Sequence, residues 1–127
     1  MSIEMKYPLD DENYDRDIRS RAITSQLPDG AYVFVRDVDG TIYVLPDGPH
    51  QHPKVLGSGK PAVYAGDFSK RGQFVTDITN LSGTFQFEDA TGLLAVARAF
   101  EEIGLTIQPG AVRRFSYSSG QRAQILR

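Results

Sequence analysis

Ala31-Tyr32-Val33-Phe34-Val35-Arg36 is a run of β-branched and aromatic residues, and Thr41-Ile42-Tyr43-Val44-Leu45 is a second run of the same kind. These residue types are enriched in strands. Asp37-Val38-Asp39-Gly40 separates the runs, and an Asp-Gly pair suits the positive φ angles of a tight hairpin turn. The sequence therefore predicts a β-hairpin over residues 31–45. A calcium loop is not predicted, because that loop needs glycine at its sixth position and glutamate at its twelfth.

Outward from this hairpin, the pattern predicts a second hairpin from strands at 61–66 and 73–79. Apolar residues then recur at helical spacing over 89–103, with Asp89 or Thr91 as candidate caps at the start and Gly104 at the end. Closing strands are expected within 105–118 and 121–126. The predicted fold class is α+β, an antiparallel sheet of four to six strands with one main helix packed on one face. We expect Leu93, Leu94, Ala97 and Phe100 of that helix to pack against Val33, Val35, Ile42, Val44, Val63 and Val75.

The first 30 residues differ from the rest in charge. They hold seven acidic and four basic residues, and their apolar residues are sparse. The sequence predicts an acidic N-terminal arm over 1–30, partly helical or mobile, followed by a single α+β domain over 31–127. Within the arm, Asp10 or Asp11 is a candidate cap for a short helix up to Arg21, and Asp15 stands four residues before Arg19, an order that supports a helix. Residues 1–9 are expected to be mobile or to lie on a partner.

Composition excludes several classes of protein. The chain has 127 residues, no cysteine and a formal net charge of −2, so disulfides, thiol catalysis and a global attraction to nucleic acid are not expected. No apolar run approaches the roughly 20 residues that cross a bilayer. The N-terminus is acidic and polar where a signal peptide would be basic and then apolar. We therefore expect a cytoplasmic protein, with delivery as an effector left open.

Residues 46–61 form a long stretch in which three prolines precede Lys54, so a loop is predicted there. It carries both histidines of the chain, His50 and His52. Either side chain is a candidate general base, since histidine titrates near neutral pH. No metal site is predicted, because only Asp47 lies nearby to complete a set of ligands. Gly57-Ser58-Gly59-Lys60 resembles the end of a phosphate-binding loop but departs from its pattern on both sides.

Three polar residues stand near the ends of the second predicted hairpin: Asp67, Asn80 and Ser82. Loops at strand ends gather polar groups on a rigid support, so Asn80 and Ser82 are candidate ligand-binding residues. A candidate catalytic trio of serine, histidine and aspartate is also present in the sequence, formed by Ser82, either His50 or His52, and Asp67. The alternative is that Asn80 and Ser82 are turn residues that bond their own backbone.

The C-terminal segment is basic, since residues 103–127 hold four arginines and no acid. Arg113, Arg114 and Arg122 are therefore candidate anion-binding residues, and a solvated surface is the alternative. Arg113 and Arg114 are adjacent in a predicted strand, so their side chains should point to opposite faces. That geometry favours a discrete acidic contact, with the protein's own arm or with a partner, over a nucleic-acid surface.

Part of the chain resembles a known module. The residues concerned are Tyr32-Val33-Phe34-Val35, Asp39 to Val44, His50, Gly57, Gly59, Ala65-Gly66-Asp67, Gly72, Ile78 to Gly83, and the helix that ends at Gly104. Over about residues 31–108 this order resembles a module of bacterial effector and polymorphic-toxin-like proteins and of the C-terminal region of plant IQ-motif calmodulin-binding proteins. The module has a Ser-Gly-His-Tyr-x-Pro motif, where this chain has Thr84-Phe85 for His-Tyr and Phe87 for proline.

The resemblance implies the architecture more than an activity, and the replaced His-Tyr pair removes its titratable groups. The leading hypothesis is a small non-catalytic binding or protein-interaction module, linked to a bacterial effector, toxin or immunity system. The alternative is a toxin-like enzyme that acts on a nucleotide or protein substrate through the 46–61 loop with Asp67, Asn80 and Ser82. A protein partner is predicted, with a small anionic ligand as the alternative. No cofactor, nucleic acid or membrane partner is expected.

Overall fold

The computed structural model describes residues 5–7, 15–48, 51–82, 84–117 and 123–127. Within them the chain forms eight strands and two helices. In chain order these are β1 (Arg21–Ala22), β2 (Gly30–Arg36), β3 (Ile42–Pro46), α1 (His52–Leu56), β4 (Tyr64–Arg71), β5 (Phe74–Thr79), α2 (Ala90–Glu102), β6 (Thr106–Ile107), β7 (Val112–Arg114) and β8 (Gln124–Ile125).

All eight strands belong to one sheet, in the order β1-β3-β2-β4-β5-β7-β8, and β6 also pairs with β5. The predicted α+β class is confirmed in outline, but the expected count of four to six strands is too low. The sheet is also mixed, because β5 runs parallel to both β6 and β7. A parallel pair needs a long crossover connection, and α2 supplies it between β5 and the two strands that follow.

The central hairpin and the main helix form as predicted. β2 and β3 pair antiparallel around the Asp39–Gly40 turn. Asp89 caps α2, since its Oδ2 accepts a hydrogen bond of 2.8 Å from the Gly92 amide. Phe100 of α2 is fully buried and meets Phe68 edge-on, with ring centroids 4.9 Å apart. We call the side of the sheet that packs against α2 the helix face.

The opposite side, the second face, is covered in part by α1, which packs on β2 and β3. Val33 and Val35 lie on the second face because they alternate with Phe34, which meets Phe100 on the helix face. The expectation that these two valines pack against the main helix is therefore wrong. The loop predicted over 46–61 also contains α1, whose Pro53 lies in the first helical turn, where proline is tolerated.

The described part of residues 1–30 is attached to the body of the protein. Lys6 and Ala62 exchange two backbone hydrogen bonds of 2.8 Å, so residues 5–7 lie against the body of the protein, and their mobility stays a prediction. Residues 15–20 form no helix, contrary to the support expected from Asp15 and Arg19, and the strand β1 follows them. Leu27 is buried in the core. The remainder of the predicted short helix, 10–14, lies outside the described residues, and the division of the chain at residue 30 stays a prediction.

Neither helix in the described residues is long and apolar enough to cross a bilayer. Cytoplasmic location stays a prediction.

Candidate functional site

Beyond α1, the second face carries a cluster of four polar residues, which we call the polar cluster: Asp67, Asp77, Thr79 and Arg113. Asp67 is the register partner of Thr79, and Thr79 is the partner of Arg113, so these side chains project from the same side of the sheet. Thr79 Oγ1 donates to Asp67 Oδ1 at 2.6 Å. Arg113 donates from Nε and Nη2 to the two oxygens of Asp77, at 2.7 and 2.9 Å. Asp67 and Arg113 were predicted from the sequence as site residues, whereas Asp77 and Thr79 were not. The alternation of these two residues on one strand is the signal that could have found them.

Asp67 has an unusual environment for a carboxyl group. Burial raises its pKa, the hydrogen bond from Thr79 opposes that shift, and the negative charges of Asp77 and Asp47 add to it. Arg113 lowers the pKa of Asp67, but this effect is the smallest of those named, and its guanidinium is hydrogen-bonded to Asp77. The carboxyl of Asp67 is thus half-buried and forms no ion pair with any of the described residues.

His52 is the first residue of α1, and its Nε2 lies 2.7 Å from the Gly66 carbonyl oxygen. A carbonyl only accepts, so this nitrogen carries the hydrogen. Burial lowers the pKa of His52, which favours the neutral ring. His52 therefore acts as a link between α1 and β4. His50 lies outside the described residues.

Gly66 makes room for this arrangement. A Cβ atom there would lie 1.9 Å from the Thr79 carbonyl oxygen and 2.9 Å from the Phe34 ring. The close approach of β4 to β5 at this point therefore requires glycine.

Ser82 is buried, and its Oγ accepts hydrogen bonds from the amides of Thr84 (3.2 Å) and Phe85 (3.0 Å). It makes no hydrogen bond to His52 or Asp67 in the described part of the chain. The candidate trio of serine, histidine and aspartate is therefore not assembled around His52, and the contacts of Ser82 are those of a turn residue.

Asn80 is fully buried and is bonded entirely to backbone groups. Its Nδ2 donates to the carbonyl oxygens of Phe87 (2.6 Å) and Phe115 (2.9 Å), and its Oδ1 accepts from the Phe115 amide (2.7 Å). Tyr117 was not predicted from the sequence. Its hydroxyl donates to the Asn80 carbonyl oxygen (2.5 Å) and accepts from the Ser82 amide (2.7 Å). These contacts hold the segment after β5 against the segment after β7. The ligand-binding role of Asn80 and Ser82 stays a prediction.

The candidate arginines are placed on different sides of the sheet. Arg113 belongs to the polar cluster on the second face. Arg114 lies on the helix face, where its Nη2 donates to Gln124 Oε1 (2.7 Å) and its Nη1 to the Glu88 carbonyl oxygen (3.2 Å). The two side chains point to opposite faces, as their adjacency in a strand predicts. Arg122 lies outside the described residues, so its place beside either of them stays a prediction.

No group of three or more histidine, aspartate or glutamate side chains in the described residues is arranged to hold a metal ion. Comparison of the chain with protein-family models, with curated proteins and with solved structures gives no significant match. The resemblance to the effector-like and IQ-motif modules therefore stays a prediction.

Proposed function

We propose that the chain is a small, non-catalytic protein-interaction module. The observation that carries the proposal is that the candidate catalytic side chains are bonded to the protein's own structure. His52 is bonded to the Gly66 carbonyl, Asp67 to Thr79, and Ser82 to two backbone amides. A nucleophile needs a base within hydrogen-bond reach, and Ser82 has none among the described residues.

The alternative enzyme would use the 46–61 loop with Asp67, Asn80 and Ser82. Five residues of that loop form α1, whose Val55 and Leu56 are buried, so this part of the loop is packed into the body. Asn80 directs its amide at backbone groups, which leaves it little capacity to hold a substrate. These contacts favour the binding module. Its link to an effector, toxin or immunity system rests on the resemblance alone.

The proposal is tested by pairing a binding measurement with a chemical one. The tagged chain is used to recover partners from cells of its source, with excess untagged chain as competitor. We expect a protein in near-equal amount whose retention is competed away. In parallel, extracts of nucleotides, RNA and peptides are incubated separately with the wild type, with the His52→Gln variant and with the Asp67→Asn variant.

We expect the three incubations to leave identical products. A chemical change that the wild type causes and that either substitution abolishes would contradict the proposal. The His52→Gln variant retains a side-chain donor for the Gly66 carbonyl, and its melting temperature shows whether a loss of activity is an effect of unfolding.

A further inference from the structure

The outer edge of β8 is an unpaired strand edge in the described part of the chain. β8 ends the sheet and runs antiparallel to β7, with Ile125 opposite Arg113. The Leu126 amide donates to the Val112 carbonyl oxygen at 2.8 Å, so these two residues form a hydrogen-bonded pair. Hydrogen-bonded and non-hydrogen-bonded pairs alternate along an antiparallel ladder. The N–H and C=O of Ile125 therefore point away from β7, toward the position of the next strand.

Natural sheets protect their ends with short edge strands, lysine, proline or a covering loop. β8 is short, with two residues, but the described residues place no lysine, proline or covering loop on this edge. The side chain at its centre is an isoleucine that is 63% exposed. The backbone groups of Ile125 have no hydrogen-bond partner among the described residues. A free edge with an exposed β-branched residue is a template for an added strand.

Contacts with the core and with α2 hold the residues that follow β8 in place. Leu126 packs against the core, and Arg127 donates two hydrogen bonds of 2.8 Å to the carboxylate of Glu101 on α2. A strand that is already ordered loses little further conformational freedom when a second strand pairs with it, so binding at this edge is favoured.

A cleft of about 420 Å³ lies between α2 and Arg127, two residues after β8, and is lined by Leu94, Arg98, Glu101 and Arg127. The three residues from α2 are spaced four and three apart, so they form one stripe of the helix. Arg98 is exposed and has no ion-pair or hydrogen-bond partner among the described residues. Arg114, on the same side, is bonded to an amide and a carbonyl rather than to a carboxylate. The helix-face side of this edge therefore presents two guanidinium groups, those of Arg98 and Arg114, that form no ion pair within the described part of the chain.

We infer that an extended acidic segment of a partner protein adds to the sheet along β8, with carboxylates directed at Arg98 and apolar side chains beside Ile125. The inference rests on the proposed function and names the class of partner. Side chains of a strand alternate between faces, so the expected segment alternates acidic with apolar residues. Antiparallel pairing of β8 with a second copy is disfavoured, because it would bring Arg98 and Arg114 of both copies to the same side of the joined sheet, where their charges repel.

The test uses two capped heptapeptides, Glu-Val-Glu-Val-Glu-Val-Glu and the same peptide with lysine for glutamate. Each is titrated into the ¹⁵N-labelled full chain at low and high salt and followed by NMR. We expect saturable binding of the glutamate peptide, with amide shifts at 123–127 and at the Arg98 side chain. Binding should weaken with added salt, because it depends on exposed charges. The lysine peptide should not bind at this edge.

Two substitutions locate the site. Ile125→Pro removes the outward N–H without touching the hydrogen bonds between β7 and β8, and it should weaken binding about three- to tenfold. Ile125→Thr keeps the N–H and the branched side chain and should bind nearly as the wild type does. Arg98→Glu changes only an exposed helix position and should shift the preference from the glutamate to the lysine peptide.

Equal binding of both peptides, shifts confined to another surface, or binding unchanged by Ile125→Pro and Arg98→Glu would overturn the inference. A concentration-dependent dimer that Ile125→Pro abolishes would also overturn it, since the edge would then pair with a second copy. If neither peptide binds and a recovered partner is retained equally by the wild type and Ile125→Pro, this inference fails while the proposed function stands. Turnover that depends on His52 or Asp67 would instead remove the proposed function.

Discussion

The side-chain amide of Asn80 forms a two-point hydrogen-bonded pair with the backbone of Phe115. Nδ2 donates to the Phe115 carbonyl oxygen at 2.9 Å, and Oδ1 accepts from the Phe115 amide at 2.7 Å. β5 ends at Thr79 and β7 ends at Arg114, so the Asn80 side chain continues the pairing of these strands one step past their ends.

Asn80→Ala should therefore lower the free energy of unfolding by roughly 3 kcal/mol, because it leaves the Phe115 amide and two carbonyl oxygens without their partner. Urea denaturation measures the loss. Asn80→Asp keeps an acceptor for the Phe115 amide but places a carboxylate against the Phe87 and Phe115 carbonyl oxygens, so it should be at least as destabilising at pH 7. A loss below about 0.5 kcal/mol for the alanine variant would show that the pair contributes little.

Phe100 lies at the centre of the helix-face core. It is fully buried, and its ring meets those of Phe34 and Phe68 edge-on, at centroid distances of 6.1 and 4.9 Å. Phe100→Ala should cost about 3–5 kcal/mol, the range for a large aromatic residue removed from a packed core. Ile103→Ala, at the partly exposed C-cap of the same helix, is the matched control and should cost less than about 1 kcal/mol. Similar losses for the two variants would argue against this placement of the core.

The Asp77–Arg113 ion pair joins β5 to β7 on the second face. The two side chains are 31% and 38% exposed, so solvent screens their attraction. A double-mutant cycle with Asp77→Ala and Arg113→Ala should give a coupling free energy of about 0.2–1 kcal/mol, decreasing with added salt. A coupling above about 3 kcal/mol that does not respond to salt would mean that the pair is effectively buried.

Asp67 should make the protein less stable as the pH rises. Burial raises the pKa of its carboxyl in the folded state, so the folded protein holds this proton more tightly than the unfolded chain does. Its contribution to stability is thus fully present below the ordinary pKa of aspartate and is lost as the pH rises through the raised value. Asp67→Asn, which keeps an acceptor for Thr79, should raise the melting temperature at pH 7 and leave it unchanged near pH 3.

Asp17 provides a control, because its substitution should change the melting temperature at pH 7 in the opposite direction. Hydrogen bonds from Arg19 lower the pKa of Asp17 to about 2, so its contribution is present above the ordinary value and is lost as the pH falls toward 2. Asp17→Asn should therefore lower the melting temperature at pH 7 and have less effect near pH 2. Thermal denaturation of both variants and of the wild type at each pH checks the two predictions. The same sign for both substitutions at pH 7 would contradict the assigned environments.

The elements that the sequence predicted correctly depend on local interactions. The hairpin over β2 and β3 follows from two strand-forming runs and an Asp-Gly turn, and α2 follows from its apolar spacing and the Asp89 cap. The opposite directions of Arg113 and Arg114 follow from the alternation of side chains along a strand. Each of these rests on residues close together in the chain, so no knowledge of distant contacts is needed.

The remaining features depend on residues that lie far apart in sequence. The parallel pairing of β5 with β7 is set by how α2 returns the chain to the sheet, and periodicity carries no information on which strands become neighbours. The bonds of Asn80 to Phe115 and of Asp77 to Arg113 span 35 and 36 positions. The sequence determined the main strands, the tight turn and the long helix, because local sterics and apolar spacing act within a few residues. Only the tertiary structure decided that Asn80 and Ser82 form hydrogen bonds with backbone groups and that Ile125 of β8 is exposed at the end of the sheet, because burial and pairing arise when distant segments meet.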